Sequence, residues 1–187
     1  MIVGLCGLAR SGKDSFFSFI EDIPLNEKPN IRLAFADKLK EELDLFLRAS
    51  FGISAFSKET EDKEVIRPIL VAYGMQKRYV SNGLYWIEKI ESEINRFQDE
   101  YNYFITDVRF PNEVLKIKDM GGICIYINRS GNLPPNEEEA KNDPLIRDMC
   151  EFEFSWNDFS ETSKVENLKM VKDFAINKLK NERAAIN

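Results

Sequence analysis

The chain has 187 residues, of which 43% are apolar, and this supports one packed domain and excludes a series of several domains. A formal charge of −6 argues against nonspecific attraction to nucleic acid, and the absence of histidine excludes Ser-His, Cys-His and His-metal chemistry. Cys6, Cys124 and Cys150 show no CxxC spacing, so we expect reduced thiols in a cytoplasmic compartment. No apolar stretch approaches the length of a membrane span, and we expect no membrane partner.

Strands and helices alternate along the predicted chain. Short apolar and β-branched runs predict strands at residues 1–6, 31–35, 101–107, 123–127 and 152–156. Apolar residues at helical spacing predict helices at residues 14–20, 38–47, 66–73, 87–97, 111–120 and 165–179. This order is typical of the α/β class and predicts a parallel sheet of about five strands flanked by helices.

Three local features sharpen this prediction. Asp37 precedes an apolar helical pattern and is predicted as its N-cap, and Pro68 is expected only in a first helical turn or at a kink. Residues 129–150 contain three prolines and the acidic run Glu137–Glu139, so we predict a polar lid segment there. No linker separates a second core, and we predict a single domain over residues 1–187.

The most informative motif is Gly7-Leu8-Ala9-Arg10-Ser11-Gly12-Lys13, which follows a predicted strand and opens a predicted helix. Two glycines separated by four residues and followed by lysine are the spacing of a phosphate-binding loop. Glycines let successive backbone amides point at phosphate oxygens, and the helix N-terminus adds positive partial charge. The motif therefore predicts a site for the phosphates of a nucleotide, with Lys13 as the cation. The alternative is a glycine-rich turn without a ligand.

The position after Lys13 is unusual for this motif. Serine or threonine normally stands there as a magnesium ligand, whereas this chain has Asp14 followed by Ser15. A carboxylate is also a hard oxygen ligand for Mg²⁺, directly or through water. The sequence leaves the choice between Asp14 and Ser15 open.

A second acidic residue is predicted at the same edge of the sheet. Asp107 ends a predicted strand, and ligands collect at the carboxyl ends of strands in α/β sheets. We expect Asp107 to hold the magnesium water shell or to orient the acceptor oxygen, and Arg109 to bind an acceptor phosphate. The alternatives are a turn residue before Pro111 for Asp107 and a surface salt bridge for Arg109.

Further candidates lie on helices and in the lid. Arg67 and Arg78 are eleven residues apart, which puts both along one face of a helix if they share one, and a solvated face is the alternative. Arg129 opens the lid segment, which would exclude water from the phosphates on closing. Asn157 follows the last predicted strand, where a base-binding loop is expected, and Trp86 is core or a stacking partner for a base.

Several motifs together resemble those of the bacteriophage-type deoxynucleoside monophosphate kinases. The residues that carry the resemblance are the loop with Gly12-Lys13-Asp14-Ser15, Phe35-Ala36-Asp37-Lys38-Leu39-Lys40, Tyr73-Gly74 with Arg78, Tyr85-Trp86, Asp107-Val108-Arg109-Phe110-Pro111-Asn112-Glu113 and Gly121-Gly122. Asp14 departs from the general loop motif but agrees with this family.

The resemblance implies a P-loop kinase fold and ATP-dependent, magnesium-dependent phosphorylation of a deoxynucleoside monophosphate in a (host) cytoplasm. It implies an acceptor-binding helical region at about 37–100, a lid at about 129–150 and, as an open possibility, a homodimer. By carry-over, the catalytic residues are Lys13, Asp107, Arg109 and Arg129, and the ATP-binding residues are Gly7, Ala9, Arg10, Ser11, Gly12, Lys13, Asp14, Ser15 and Asn157. The acceptor residues are Asp37, Arg67, Arg78, Trp86 and Arg109, and the metal residues are Asp14, Ser15 and Asp107.

Two other functions remain open at this stage. One is a P-loop kinase for another small phosphorylated acceptor, of the dephospho-coenzyme A or phosphomevalonate type. The other is a nucleotide-binding module without turnover, although such a module needs neither Asp107 nor a lid.

Overall fold

The computed structural model describes residues 1–97, 100–156 and 163–179. Its strands are β1 (Ile2–Cys6), β2 (Asn30–Leu33), β3 (Asn102–Val108), β4 (Ile123–Asn128) and β5 (Phe152–Ser155). Its helices are α1 (Lys13–Ile20), α2 (Phe35–Phe51), α3 (Thr60–Val80), α4 (Tyr85–Arg96), α5 (Pro111–Asp119), α6 (Glu137–Met149) and α7 (Lys164–Phe174), and α7 continues into a π-helical turn, Ala175–Leu179.

The five strands form one parallel sheet in the order β2-β3-β1-β4-β5, which confirms the predicted α/β class. β1 lies at the centre, and all five of its residues are buried, as expected for a strand covered on both faces. The chain leaves β1 toward one side of the sheet and later crosses to β4 on the other side. A ligand crevice is expected at such a switch, outside the carboxyl ends of the strands.

The chain divides into two compact units. The first contains residues 1–33 and 97–187, and the second contains residues 34–96. In the first unit, α1 packs its phenylalanines on the sheet and on α7, with the rings of Phe16 and Phe154 5.1 Å apart and those of Phe17 and Phe104 5.6 Å apart. These rings belong to the apolar cluster that holds β1 and the segment after it in place.

The second unit consists of the helices α2, α3 and α4. It has an apolar cluster of its own, formed by Leu43, Leu47, Ala55 and Ile66, although the sequence indicated no second core. Glu42 accepts hydrogen bonds from the hydroxyls of Tyr73 (2.9 Å) and Tyr85 (2.7 Å) and so ties α2 to α3 and α4.

Several predicted boundaries were wrong. Asp37 is not an N-cap, because Ala34 is extended and α2 already begins at Phe35, which also removes Phe35 from the second strand. Pro68 lies well inside α3, beyond its first turn. The predicted lid at 129–150 contains the helix α6, whose residues Glu139 and Ile146 are buried, so it is only partly an open polar connection.

Candidate functional site

The segment after β1 turns sharply before it enters α1. Gly7 and Gly12 have φ angles of +121° and +93°, a region that L residues with side chains seldom adopt. A Cβ on Gly7 would lie 2.6 Å from the Ile127 carbonyl oxygen, so only glycine fits at this point. Gly12 is the N-cap residue of α1, so no capping side chain accepts a hydrogen bond from the first amides of the helix. The N-terminus of α1 therefore presents its positive partial charge at this loop, as a phosphate-binding loop requires.

Lys13 is folded back into the loop. Its side chain is buried, and its Nζ donates to the carbonyl oxygens of Gly7 and Leu8 (2.7 Å each) and to Ser11 Oγ (3.3 Å). Burial, reinforced by the nearby Arg109 guanidinium, lowers the pKa of Lys13 from 10.5 to about 8, although Glu139 and Asp107 oppose the shift. The loop thus holds a desolvated ammonium beside a second cation, an arrangement that attracts an anion.

This lowered pKa predicts a pH dependence of phosphate binding. Below pH about 8 Lys13 carries its charge, and above that pH it loses the charge in the protein without ligand. A bound phosphate favours the charged form and raises the pKa, so binding near that pH should take up a proton. We expect affinity for tripolyphosphate to fall as the pH rises through about 8. Calorimetry in buffers of different ionisation enthalpy should detect the proton uptake in the native chain and not in Lys13→Met.

Three side chains from other elements fix the loop backbone. The buried indole of Trp156, directly after β5, donates from Nε1 to the Ser11 carbonyl oxygen at 2.8 Å. Asn132 Nδ2 donates to the Ala9 carbonyl oxygen (2.8 Å), and Arg129 Nη1 donates to that of Arg10 (3.4 Å). The segment after β4, which includes the predicted lid residue Arg129, is therefore in contact with the loop.

The end of β3 lies beside β1, which is the condition under which Asp107 was expected near the loop. Gly4 pairs with Ile105 and Cys6 with Val108, so β3 has one more residue than β1 between these pairs. A bulge of this kind redirects the side chains near it, here at the carboxyl end of β3. Asp107 is half-buried there, and its negative charge opposes the lowering of the Lys13 pKa that burial causes. Lys13 and Asp107 thus belong to one site.

Arg109 follows Asp107 and is held by a buried carboxylate. Glu113 Oε2 accepts from the backbone amides of Arg109 (2.8 Å) and Phe110 (3.0 Å) at the start of α5. This fixes the turn from which the Arg109 side chain extends to Glu139, with which it forms an ion pair. Arg109 is therefore the predicted acceptor residue that the structure places beside the loop.

Glu139, in the first turn of α6, is a further member of the site. It is buried, and its Oε2 accepts from the Ala9 backbone amide at 3.0 Å. A shallow open recess lies next to these contacts and is lined by Gly7, Leu8, Arg109, Glu139, Asp143 and Ile146. A loop amide and a guanidinium thus converge on one carboxylate.

The predicted metal residues are only partly brought together. Asp14 is exposed and is paired with Arg32 of β2 at 3.0 Å, while Ser15 is half-buried in the first turn of α1. In the described part of the chain, no group of three or more acidic, cysteine or histidine side chains could hold a metal. This donor set fits Mg²⁺ held by one or two protein oxygens together with substrate phosphates, and does not fit a metal cage built by the protein alone.

The remaining predicted acceptor residues, Asp37, Arg67, Arg78 and Trp86, lie in the second unit. Arg67 and Arg78 share helix α3, and Asp37 is paired with Lys40 in α2 at 3.3 Å. Trp86 is buried, and its Nε1 donates to the Gly74 carbonyl oxygen at 3.2 Å. Its burial favours a role in packing, and substrate contact by these four residues stays a prediction. Asn157 lies outside the described residues.

The sequence analysis missed Glu139 as part of the site, and it did not predict the contacts that Glu113 and Trp156 make there. A signal for Glu139 was present, because Asn136 three residues earlier forms an Asn-x-x-Glu pattern typical of a helix start. The Asn136 side chain indeed accepts from the Glu139 amide at 2.8 Å. At the start of α5 the Glu113 carboxylate instead accepts from the Phe110 backbone amide three residues earlier, whereas the Trp156 contact spans the chain and had no local signal.

The chain was compared with known families, curated proteins and solved structures. No protein-family model matches the chain, and a search of curated proteins finds no match. Among solved structures, the chain is similar to a dephospho-CoA kinase from Campylobacter jejuni, with a TM-score of 0.48 and 16% identity over 92% of this chain and 94% of that one. This level of similarity supports neither a family nor a function for the chain. No helix in the described ranges is both long enough and apolar enough to span a membrane.

Proposed function

We propose that the chain is a kinase that transfers the γ-phosphoryl group of ATP to a deoxynucleoside monophosphate. The observation that carries this proposal is the buried ammonium of Lys13 inside the loop after β1. The charges of Arg109 and Asp107 both shift the pKa of this ammonium, in opposite directions. The choice of a deoxynucleoside monophosphate as the acceptor rests on the motifs that resemble those of the deoxynucleoside monophosphate kinases.

Transfer of a phosphoryl group depends mainly on positioning and charge neutralisation, which a chain without histidine can provide. A phosphate oxygen of the acceptor forms a bond to the γ-phosphorus while the bond to the β–γ bridging oxygen breaks, giving ADP and a nucleoside diphosphate. The loop amides and Lys13 bind the donor phosphates and neutralise the charge that develops on the leaving ADP. Arg109 binds the acceptor phosphate, and Arg129 at the loop helps to exclude water.

Magnesium enters this proposal through Asp14 or Ser15 and Asp107. When bound, the ion neutralises charge on the donor phosphates. The Asp14 carboxylate and the Ser15 hydroxyl lie in the first turn of α1, directly after Lys13. Asp107 at the end of β3 holds the water shell of the ion or orients the acceptor oxygen.

The two carboxylates should differ in their response to magnesium. Asp14→Asn keeps an oxygen ligand and removes charge, so we expect the magnesium requirement to rise about ten-fold and added metal to restore turnover partly. Asp107→Asn should lower turnover even at saturating magnesium. Magnesium titrations of ADP formation check both results, with Asp119→Asn, an exposed residue at the end of α5, as the control. Titrations that match the native chain in both variants would make these carboxylates structural.

A panel of acceptors tests the proposed acceptor class. ADP formation from ATP is measured with each of the four deoxynucleoside monophosphates, with dephospho-coenzyme A and with phosphomevalonate. We expect turnover with one or more of the monophosphates and little with the other two acceptors. Turnover with dephospho-coenzyme A or phosphomevalonate alone would replace the proposed acceptor while keeping the kinase. ATP binding without ADP formation in any reaction would identify a binding module.

A further inference from the structure

Glu139 occupies donors that a phosphate group would use. Its two carboxylate oxygens accept from different groups, Oε2 from the Ala9 amide at 3.0 Å and Oε1 from the Arg109 guanidinium. A backbone amide of a phosphate loop and an arginine fork are the donor types that bind phosphate oxygens in proteins. A carboxylate in this position therefore carries the charge and two of the contacts of a phosphate group.

The position of Glu139 is fixed by the helix that carries it. Asn136 caps α6 by accepting from the Glu139 amide at 2.8 Å, and this sets the first turn of the helix against the loop. The two acidic side chains that precede it, Glu137 and Glu138, are exposed, whereas Glu139 is only 8% exposed. Glu139 is thus the one acid of the run Glu137–Glu139 that is buried.

The other end of α6 is attached to the sheet independently of the loop. The Tyr126 hydroxyl of β4 donates to the Asp143 carboxylate, 2.8 Å from each oxygen. Arg147 donates to both carboxylate oxygens of Glu153 on β5, at 2.7 and 2.9 Å. Ile146, which lies between Asp143 and Arg147 in the sequence, is buried. The helix can therefore lose its contact at Glu139 without losing its place on β4 and β5.

We propose that Glu139 is a displaceable latch, which competes with a donor phosphate for the Ala9 amide, so that nucleotide binding releases both the Arg109 guanidinium and the first turn of α6. The inference rests on the proposed function, because it requires a polyphosphate at the loop. Two anions sharing the same donor repel each other strongly in a site with little water. Release of Glu139 also frees the Arg109 guanidinium, which can then bind the acceptor phosphate.

The latch is tested by binding rather than by activity. Isothermal titration calorimetry at pH 7.5 and fixed ionic strength measures the affinity of inorganic tripolyphosphate and of ATP for the native chain, for Glu139→Gln and for Glu138→Gln. Glutamine keeps the shape of the side chain but removes the charge that competes. We expect Glu139→Gln to bind both ligands roughly ten-fold more tightly or better. The matched control Glu138→Gln removes the same charge from an exposed neighbour and should change affinity by less than about two-fold.

Amide hydrogen exchange gives a second measurement on the native chain. When tripolyphosphate binds, the amides in the first turn of α6 should exchange faster and those of the loop more slowly. Unchanged or weaker binding by Glu139→Gln, in a native chain that binds both ligands, would overturn the latch and leave the proposed function standing. Failure of both proteins to bind either ligand would overturn the phosphate site and the latch together. Binding by Glu139→Gln alone would support the latch.

Discussion

Replacing Lys13 by alanine should lower turnover about 10²-fold to 10³-fold. The Lys13 ammonium is preorganised in the loop, where it donates to the Gly7 and Leu8 carbonyl oxygens at 2.7 Å. In the proposed reaction it neutralises the charge that develops between the transferred phosphoryl group and the leaving ADP. Because water is largely excluded from this position, no solvent dipole replaces the lost charge. The measurement is the rate of ADP formation at saturating ATP and acceptor.

The Lys13 variants need a check on folding, since their side chain is buried. Lys13→Met retains the apolar stem and loses only the ammonium, so it should lose turnover to a similar extent. Circular dichroism and thermal unfolding should show both variants folded, because the apolar cluster under the loop is formed by other residues. Comparable turnover in a folded Lys13→Ala protein would rule out the proposed role of the loop.

Conservative replacement of Arg109 should weaken use of the acceptor by about ten-fold to a hundred-fold. Lysine keeps the charge but cannot reproduce the planar fork that binds two phosphate oxygens. The turn that carries Arg109 is held by Glu113 through two backbone amides, so the backbone should stay in place in the variant. ATP affinity should change far less than acceptor efficiency, because the loop amides and Lys13 bind the donor. Separate titrations of acceptor and ATP measure the two effects.

Arg67→Lys and Arg78→Lys extend the same measurement to the second unit. If these two residues also bind the acceptor phosphate, each variant should lose acceptor efficiency to a similar degree. Arg48→Lys is the matched control, because Arg48 is exposed in the same unit and paired with Asp44 at 2.7 Å. Acceptor efficiency within about two-fold of the native value in all three test variants, well below the expected loss, would place the acceptor site elsewhere.

The central strand, the loop and α1 could be predicted from the sequence because their signals are local. The loop glycines, Lys13 and the apolar face of Phe16, Phe17 and Ile20 lie within one short segment. The position of Asp107 followed from one further step, since parallel strands present their carboxyl ends at one edge. That step depended on β3 lying next to β1, which the structure confirms.

The contacts that complete the site could not be predicted in the same way. Helix α6 was hidden by Pro144 and by an acidic run, both of which favour an exposed connection on composition alone. The Glu139 contact to Ala9 joins residues 130 positions apart, and the Trp156 contact to Ser11 joins residues 145 apart. Such pairs are set by the packing of the whole sheet, for which a single sequence has no local pattern.

The start of α2 shows a different limit. Asp37 is a favourable N-cap residue, yet the helix begins two residues earlier, after Ala34, and has no side-chain cap. The buried Phe35 lies in the first turn, so tertiary packing outweighs the capping preference there. For Trp86 the sequence likewise left two roles open, a core residue or a stacking partner for a base. Only the packing of α3 and α4 shows that it is buried.

The most direct test of the proposed kinase function follows the γ-phosphoryl group itself. The chain is incubated with magnesium, ATP labelled at the γ-phosphate and a mixture of the four deoxynucleoside monophosphates, and the labelled products are separated by chromatography. We expect label in one or more deoxynucleoside diphosphates, in an amount equal to the ADP formed, and almost none with Lys13→Ala. Label that remains in ATP, or that appears only as inorganic phosphate, would contradict it.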